Sequence, residues 1–157
     1  MSRWDARIQL VANLLVGGTG IVYATMRYVM EPADEWAVVN HPWQPHVQHL
    51  HVLTAPLLVF ACGLIWHRHV AGNLIRKERR GRSSGPGLLL TLAPMALSGY
   101  LIQTTVGESW RQVWIVVHLT SSAAWTLAFA GHLVSPYWLR LRQRRIACVK
   151  RLPLTRE

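Results

Sequence analysis

The chain alternates between long apolar runs and short polar blocks, with little mixing of the two. No Asp, Glu, Lys or Arg falls between Arg7 and Arg27, from Val47 to His67, from Ser83 to Gly107, or from Gln112 to Leu139. A helix needs about 20 such residues to cross the hydrocarbon core of a bilayer. Spans are predicted at about 8–29, 46–68, 86–106 and 111–139. Helix is the expected state, because short open strands would leave backbone groups unpaired in lipid. The polar blocks read as connections. Residues 30–45 contain Pro32, Asn40, Pro42 and Pro45, and residues 70–86 contain Gly72, Gly81, Ser83, Ser84 and Gly85 among many charges. Gly107 to Trp110 reads as a tight hairpin. The expected fold is all-α: an integral membrane four-helix bundle over residues 1–139, followed by a basic tail at 140–157.

Charge sets the orientation. The formal net charge is +10 in a chain that is half apolar. The basic residues gather at the N-terminus (Arg3, Arg7), in the second connection (Arg68 to Arg82) and in the tail (Arg140 to Arg156), whereas the opposite side holds only Arg27 and Arg111. By the positive-inside rule both termini are expected in the cytoplasm. The first connection, with Glu31, Asp34 and Glu35, then faces outward, which in a bacterium is the periplasm. The localisation expected is the bacterial inner membrane, with lipid around the bundle. A basic balance also suggests nucleic acid, but these residues flank apolar runs, and no zinc-finger spacing or polar groove-reading helix is present. Nucleic acid is therefore not an expected partner.

The two cysteines, Cys62 in an apolar run and Cys148 in the basic tail, are not expected to pair. No Cys-x-x-Cys-His occurs, which excludes covalent haem attachment of the c type. The first apolar run is too long for a signal-peptide core and is read as an uncleaved span.

The eight histidines change the picture from a membrane protein to a candidate redox protein. His118 and His132 lie inside the fourth span, His49 and His51 open the second, and His67 and His69 close it. Ionisable groups at membrane depth are costly and mark function. At roughly 100° and 1.5 Å per residue, the 14-residue interval from His118 to His132 leaves the two on one face, about 21 Å apart. His51 and His69 are 18 residues apart, five whole turns, as are His49 and His67. Spans two and four run in the same direction, so depth pairs His51 with His118 on the outer side and His69 with His132 on the inner side. His49 and His67 are the alternatives on span two. Two opposed imidazoles at each of two depths describe two b-type haems with both axial positions filled, suited to electron transfer rather than substrate binding. Ser121, Ser122, Ala124 and Ala128 between the span-four histidines, with Ala55 and Cys62 on span two, leave room for a macrocycle. Gly17, Gly18, Gly20 and Gly99 would allow close approach of a porphyrin edge. Ordinary packing of small residues is the competing account. Arg27, Arg111, Arg68 and Arg140 are candidates to pair with haem propionates.

Four spans, with histidines on span two and a pair 14 apart on span four, resemble the di-haem membrane cytochromes b. That group includes the cytochrome b of quinol:cytochrome c reductases, the b-type subunits of nitrate reductases and formate dehydrogenases, and bacterial b561-type cytochromes. The likeness covers about residues 8–139 and is architectural. It implies His51, His69, His118 and His132 as axial ligands. The chain departs from the pattern in two ways: span one has no histidine, and the interval on span two is longer than in the quinol:cytochrome c reductase type.

The first connection reads His41-Pro-Trp-Gln-Pro-His46. It suits a quinone pocket beside the outer haem, with His46 or Asp34 taking a proton and Trp43 covering the ring. A structured proline-rich turn is the plainer account. The function expected is electron transfer across the bilayer between the quinone pool and a redox partner, as the electron-transfer subunit of an oxidoreductase complex. The partner would be a periplasmic redox protein or another subunit. A cofactor-free membrane anchor and a metal or proton transporter are the alternatives.

Overall fold

The computed structural model describes residues 2–66 and 84–150, and every element among them is a helix. These are α1 (Arg3–Tyr28), α2 (Gln44–Ile65), α3 (Ser84–Thr104) and α4 (Glu108–Lys150). Three of them, α1, α2 and the Glu108–Ser135 part of α4, are long and apolar enough to cross a membrane. The positions agree with the apolar runs to within a few residues at most ends. At the C-terminal end of α4 they do not: the helix passes Leu139 without a break and continues to Lys150. Charge in the sequence marked where the apolar run stops, and nothing between Leu139 and Lys150 breaks a helix.

The chain divides into two compact units, Met1–Glu78 and Arg79–Glu157. In the first, α1 packs on α2; in the second, α3 packs on α4. Each is an αα-hairpin.

Local chemistry explains the ends. Ser2 accepts from the Asp5 backbone N–H while the Asp5 carboxylate accepts from the Ser2 N–H, a capping box that starts α1. At the other end, the Asn40 side-chain amide donates to the carbonyls of Arg27, in the last turn of α1, and Met30, just beyond it. Asn40 also donates its backbone N–H to Gln44 Oε1, so one residue ties the end of α1 to the start of α2. Pro45 sits in the first turn of α2, where its missing N–H costs nothing. The α3–α4 turn is short: the Arg111 N–H bonds the Gly107 carbonyl and α4 begins at Glu108.

The buried faces are narrow and made of small or polar residues. On α1 they are Gln9, Ala12, Asn13 and Val16, a 3–4 helical stripe that meets Leu58, Ala61 and Cys62 of α2. In the second unit the buried residues are Met95 and Ser98 on α3 and Trp125 on α4. The large apolar side chains point the other way: Leu14, Leu53, Phe60, Leu90 and Leu127 are all more than 60% exposed. Small residues inside and large ones outside is the arrangement expected where the solvent is lipid and helices associate by close packing.

Candidate functional site

His51 lies seven residues into α2, roughly 10 Å from the start of the helix, and His118 lies ten residues into α4, roughly 15 Å from its start. Both are half-buried, each against the other helix of its own hairpin. The surroundings of the two rings match, contact by contact.

In the first unit, His51 Nδ1 is 3.1 Å from the Val16 carbonyl oxygen and 3.2 Å from Thr19 Oγ1. In the second, His118 Nδ1 is 3.0 Å from the Met95 carbonyl oxygen and 3.3 Å from Ser98 Oγ. A carbonyl oxygen only accepts, so Nδ1 is the donating nitrogen in both rings, and in the neutral ring the lone pair would belong to Nε2. Each hydroxyl spends its one hydrogen on its own helix: Thr19 donates back to Leu15 and Val16, and Ser98 to Pro94 and Met95. Their oxygens are therefore left to accept from the imidazole. The residue after each hydroxyl is glycine. A Cβ on Gly20 would stand 2.9 Å from His51 Cε1, and one on Gly99 would stand 3.2 Å from His118 Cε1. These two glycines admit the imidazole rings, whereas Gly17 and Gly18 face open space and serve no such contact. Three residues beyond each histidine is another hydroxyl, Thr54 or Ser121, bonded back to the carbonyls four and three residues before it, the nearer one being that of the histidine.

The alternative on span two fares differently. His49 is exposed, while His51 is held by α1. His67 and His69 lie outside the described residues. His132 is half-buried on α4, and the unbroken helix keeps it on the His118 face. Trp125 stands seven residues from each of them on that face and is buried. Of the other residues named for the macrocycle, Ser121, Ser122 and Ala128 are half-buried and Ala124 is exposed.

In the first connection the structure brings two of three residues together. The Trp43 and His46 rings meet edge to face, with centroids 5.9 Å apart. Asp34 instead accepts the Trp36 backbone N–H through Oδ1, closing its own turn. His41 Nδ1 accepts the Trp43 N–H. Arg111, a propionate candidate, pairs with Glu108 at 3.8 Å. Among the described residues no three His, Cys, Asp or Glu side chains gather as they would around a lone metal ion; a haem iron asks the protein for only two axial donors.

Sequence reasoning named Gly20 and Gly99 for a porphyrin edge, whereas they admit the imidazole rings instead, and it missed Thr19 and Ser98. Thr19, Gly20, Ser98 and Gly99 form the same hydroxyl-glycine pair in the two spans that lack histidine, and that repetition was the available signal. No protein-family model, curated protein or solved structure matches this chain, so its site is read from its own geometry.

Proposed function

We propose that this chain is a four-span membrane cytochrome b, with both termini in the cytoplasm, that moves electrons across the bilayer between the quinone pool and a redox partner. The observation that carries the reading is the shared state of His51 and His118: each ring donates Nδ1–H to a backbone carbonyl at membrane depth, leaving Nε2 as the ligating nitrogen. An imidazole whose Nδ1 is tied to a carbonyl and whose ring is thereby oriented is what an axial ligand requires. The small residues beside the span-four histidines suit a flat macrocycle.

Haem supplies reversible one-electron chemistry at its iron. The protein's part is to present His51 and His118 on the outer side and His69 and His132 on the inner side, a pairing that follows from depth along spans two and four. Two histidines at each depth would fill both axial positions, which suits passing electrons without binding other ligands. On the outer face, His46 is exposed beside Trp43, and a quinol stacked on the indole would hand its proton to that imidazole. Asp34, committed to its own turn, is the weaker acceptor candidate.

Purification in detergent, followed by extraction and quantification of haem against protein, tests the reading. Non-covalent b-type haem at about two per chain is the expected result. A protein without haem would return the chain to the anchor reading, or to the transporter reading if it bound a divalent ion instead.

A further inference from the structure

The two hairpins carry one device twice. On the first helix it consists of a carbonyl, then three residues later a hydroxyl, then glycine: Val16, Thr19, Gly20 in one hairpin and Met95, Ser98, Gly99 in the other. On the second helix it is a histidine followed three residues later by a back-bonded hydroxyl: His51 and Thr54, His118 and Ser121. The connections between the paired helices differ in length, about 15 residues against three, and still the same contacts form. Helix propensity does not call for any of them. Thr and Ser are neutral to unfavourable inside helices, and glycine is worse. Their recurrence at matched places therefore answers to the histidine rather than to the helix.

We infer that the two hairpins are structural repeats of a single ligand-presenting unit, in which Thr19 and Ser98 act as positioning residues that set the electron density on a metal bound through Nε2 of His51 and His118. The step from geometry to tuning is short. The Nδ1–H is shared between a carbonyl and a hydroxyl oxygen, and the hydroxyl can only accept because its hydrogen is spent on its own helix. Two acceptors draw the proton away from the ring more than one does. The ring becomes a stronger donor at Nε2, which favours the oxidised metal and lowers its midpoint potential. Glycine at the next position is what lets the ring come close enough to reach both acceptors.

The tuning half of this inference rests on the haem reading; the tautomer half does not. Two measurements separate them. First, nitrogen NMR of the full chain in detergent, labelled at histidine and compared with His51→Gln and His118→Gln for assignment, reports the tautomer with or without haem. Nδ1 protonated in both residues is expected, and an Nε2-protonated ring in either would overturn the repeated cradle even if haem is present. Second, redox titration of Thr19→Val and Ser98→Ala, each close in shape to the original, is expected to leave haem content and band positions as in the wild type. Each should raise the midpoint potential of a haem. Unchanged potentials in both would overturn the tuning role, and absence of haem in the wild type would overturn the haem reading and the tuning with it. Gly20→Ala is expected to disturb the ligand-field spectrum more than Gly99→Ala, following the closer contact at Gly20. Gly18→Ala, which meets nothing, should do neither. Equal behaviour of all three would count against the cradle.

Discussion

The carbonyl oxygen of Val16 lies 3.1 Å from Nδ1 of His51, and that contact decides which ring nitrogen donates to the protein. It reaches across from one helix of the hairpin to the other, so the orientation of the imidazole is a property of the α1–α2 packing and not of α2 alone. His118 stands in the same relation to Met95. The packing and the ring orientation of each hairpin are thus linked: loosening either helix pair would free its imidazole from the carbonyl that holds it.

His51→Leu and His118→Leu should each remove the outer haem and leave the inner one. Haem per chain then falls from about two to about one in either variant, and the double variant falls no further. His49→Leu, which replaces an exposed side chain, should keep the full complement. If His49→Leu instead lost a haem and His51→Leu did not, the ligand on α2 would have been misassigned.

How much of this was legible in the sequence depends on the kind of interaction. The four helices were, three of them long and apolar enough to cross a membrane, because the cost of burying charge in lipid is large and leaves uninterrupted apolar runs such as 112–139. So was the shared face of His118 and His132, since helical periodicity is arithmetic and α4 runs straight through both. What distinguishes His51 from its alternative His49 was not, because only the neighbouring helix separates a ring held by a carbonyl from an exposed one. Nor was the use of Gly20 and Gly99: the sequence offered six glycines within α1 and α3, and which ones meet a ring is set by helix rotation. The continuation of α4 to Lys150 was not, because charge ends a membrane span without ending a helix.

Gln9 is buried on α1, donates weakly to Cys62 Sγ at 3.4 Å, and leaves its Oε1 without a hydrogen-bond partner. An unsatisfied buried acceptor costs about 1–3 kcal/mol. Gln9→Met keeps the length of the side chain and removes the polar atoms, so it should raise the thermal stability of the detergent-solubilised protein or leave it unchanged. A clear loss of stability would show that the amide does something the hydrogen bonds do not reveal.

Asn40 closes the end of α1 with two donated hydrogen bonds, to Arg27 and Met30. Asn40→Ala should cost about 1 kcal/mol per bond lost and expose residues 31–43 to proteolysis. Asn40→Asp should behave nearly as badly, because a carboxylate has no hydrogen to give. Rescue by Asp would mean that size, not donation, is what matters at this position.

Trp125 is buried in the α3–α4 hairpin, midway along α4 between His118 and His132. Trp125→Ala should lower stability by about 3 kcal/mol through loss of packing, while Trp125→Phe recovers most of it. Full stability in the alanine variant would contradict the assignment of this indole to the core of the hairpin.

His46→Leu removes the proposed proton acceptor of the outer face while leaving every proposed haem ligand in place. Quinol-driven reduction should slow by roughly a hundredfold, the low end of what a general base contributes, with haem content and spectrum unchanged. An unaltered rate would leave the Trp43–His46 contact as a structural turn.

The most direct test of the account is the reduced-minus-oxidised optical spectrum of the purified wild-type chain recorded beside that of the His51→Leu, His118→Leu double variant. The account predicts low-spin b-type bands in the wild type and a loss of about half their intensity in the variant. Identical spectra from the two proteins, or a wild type with no haem bands at all, would contradict it.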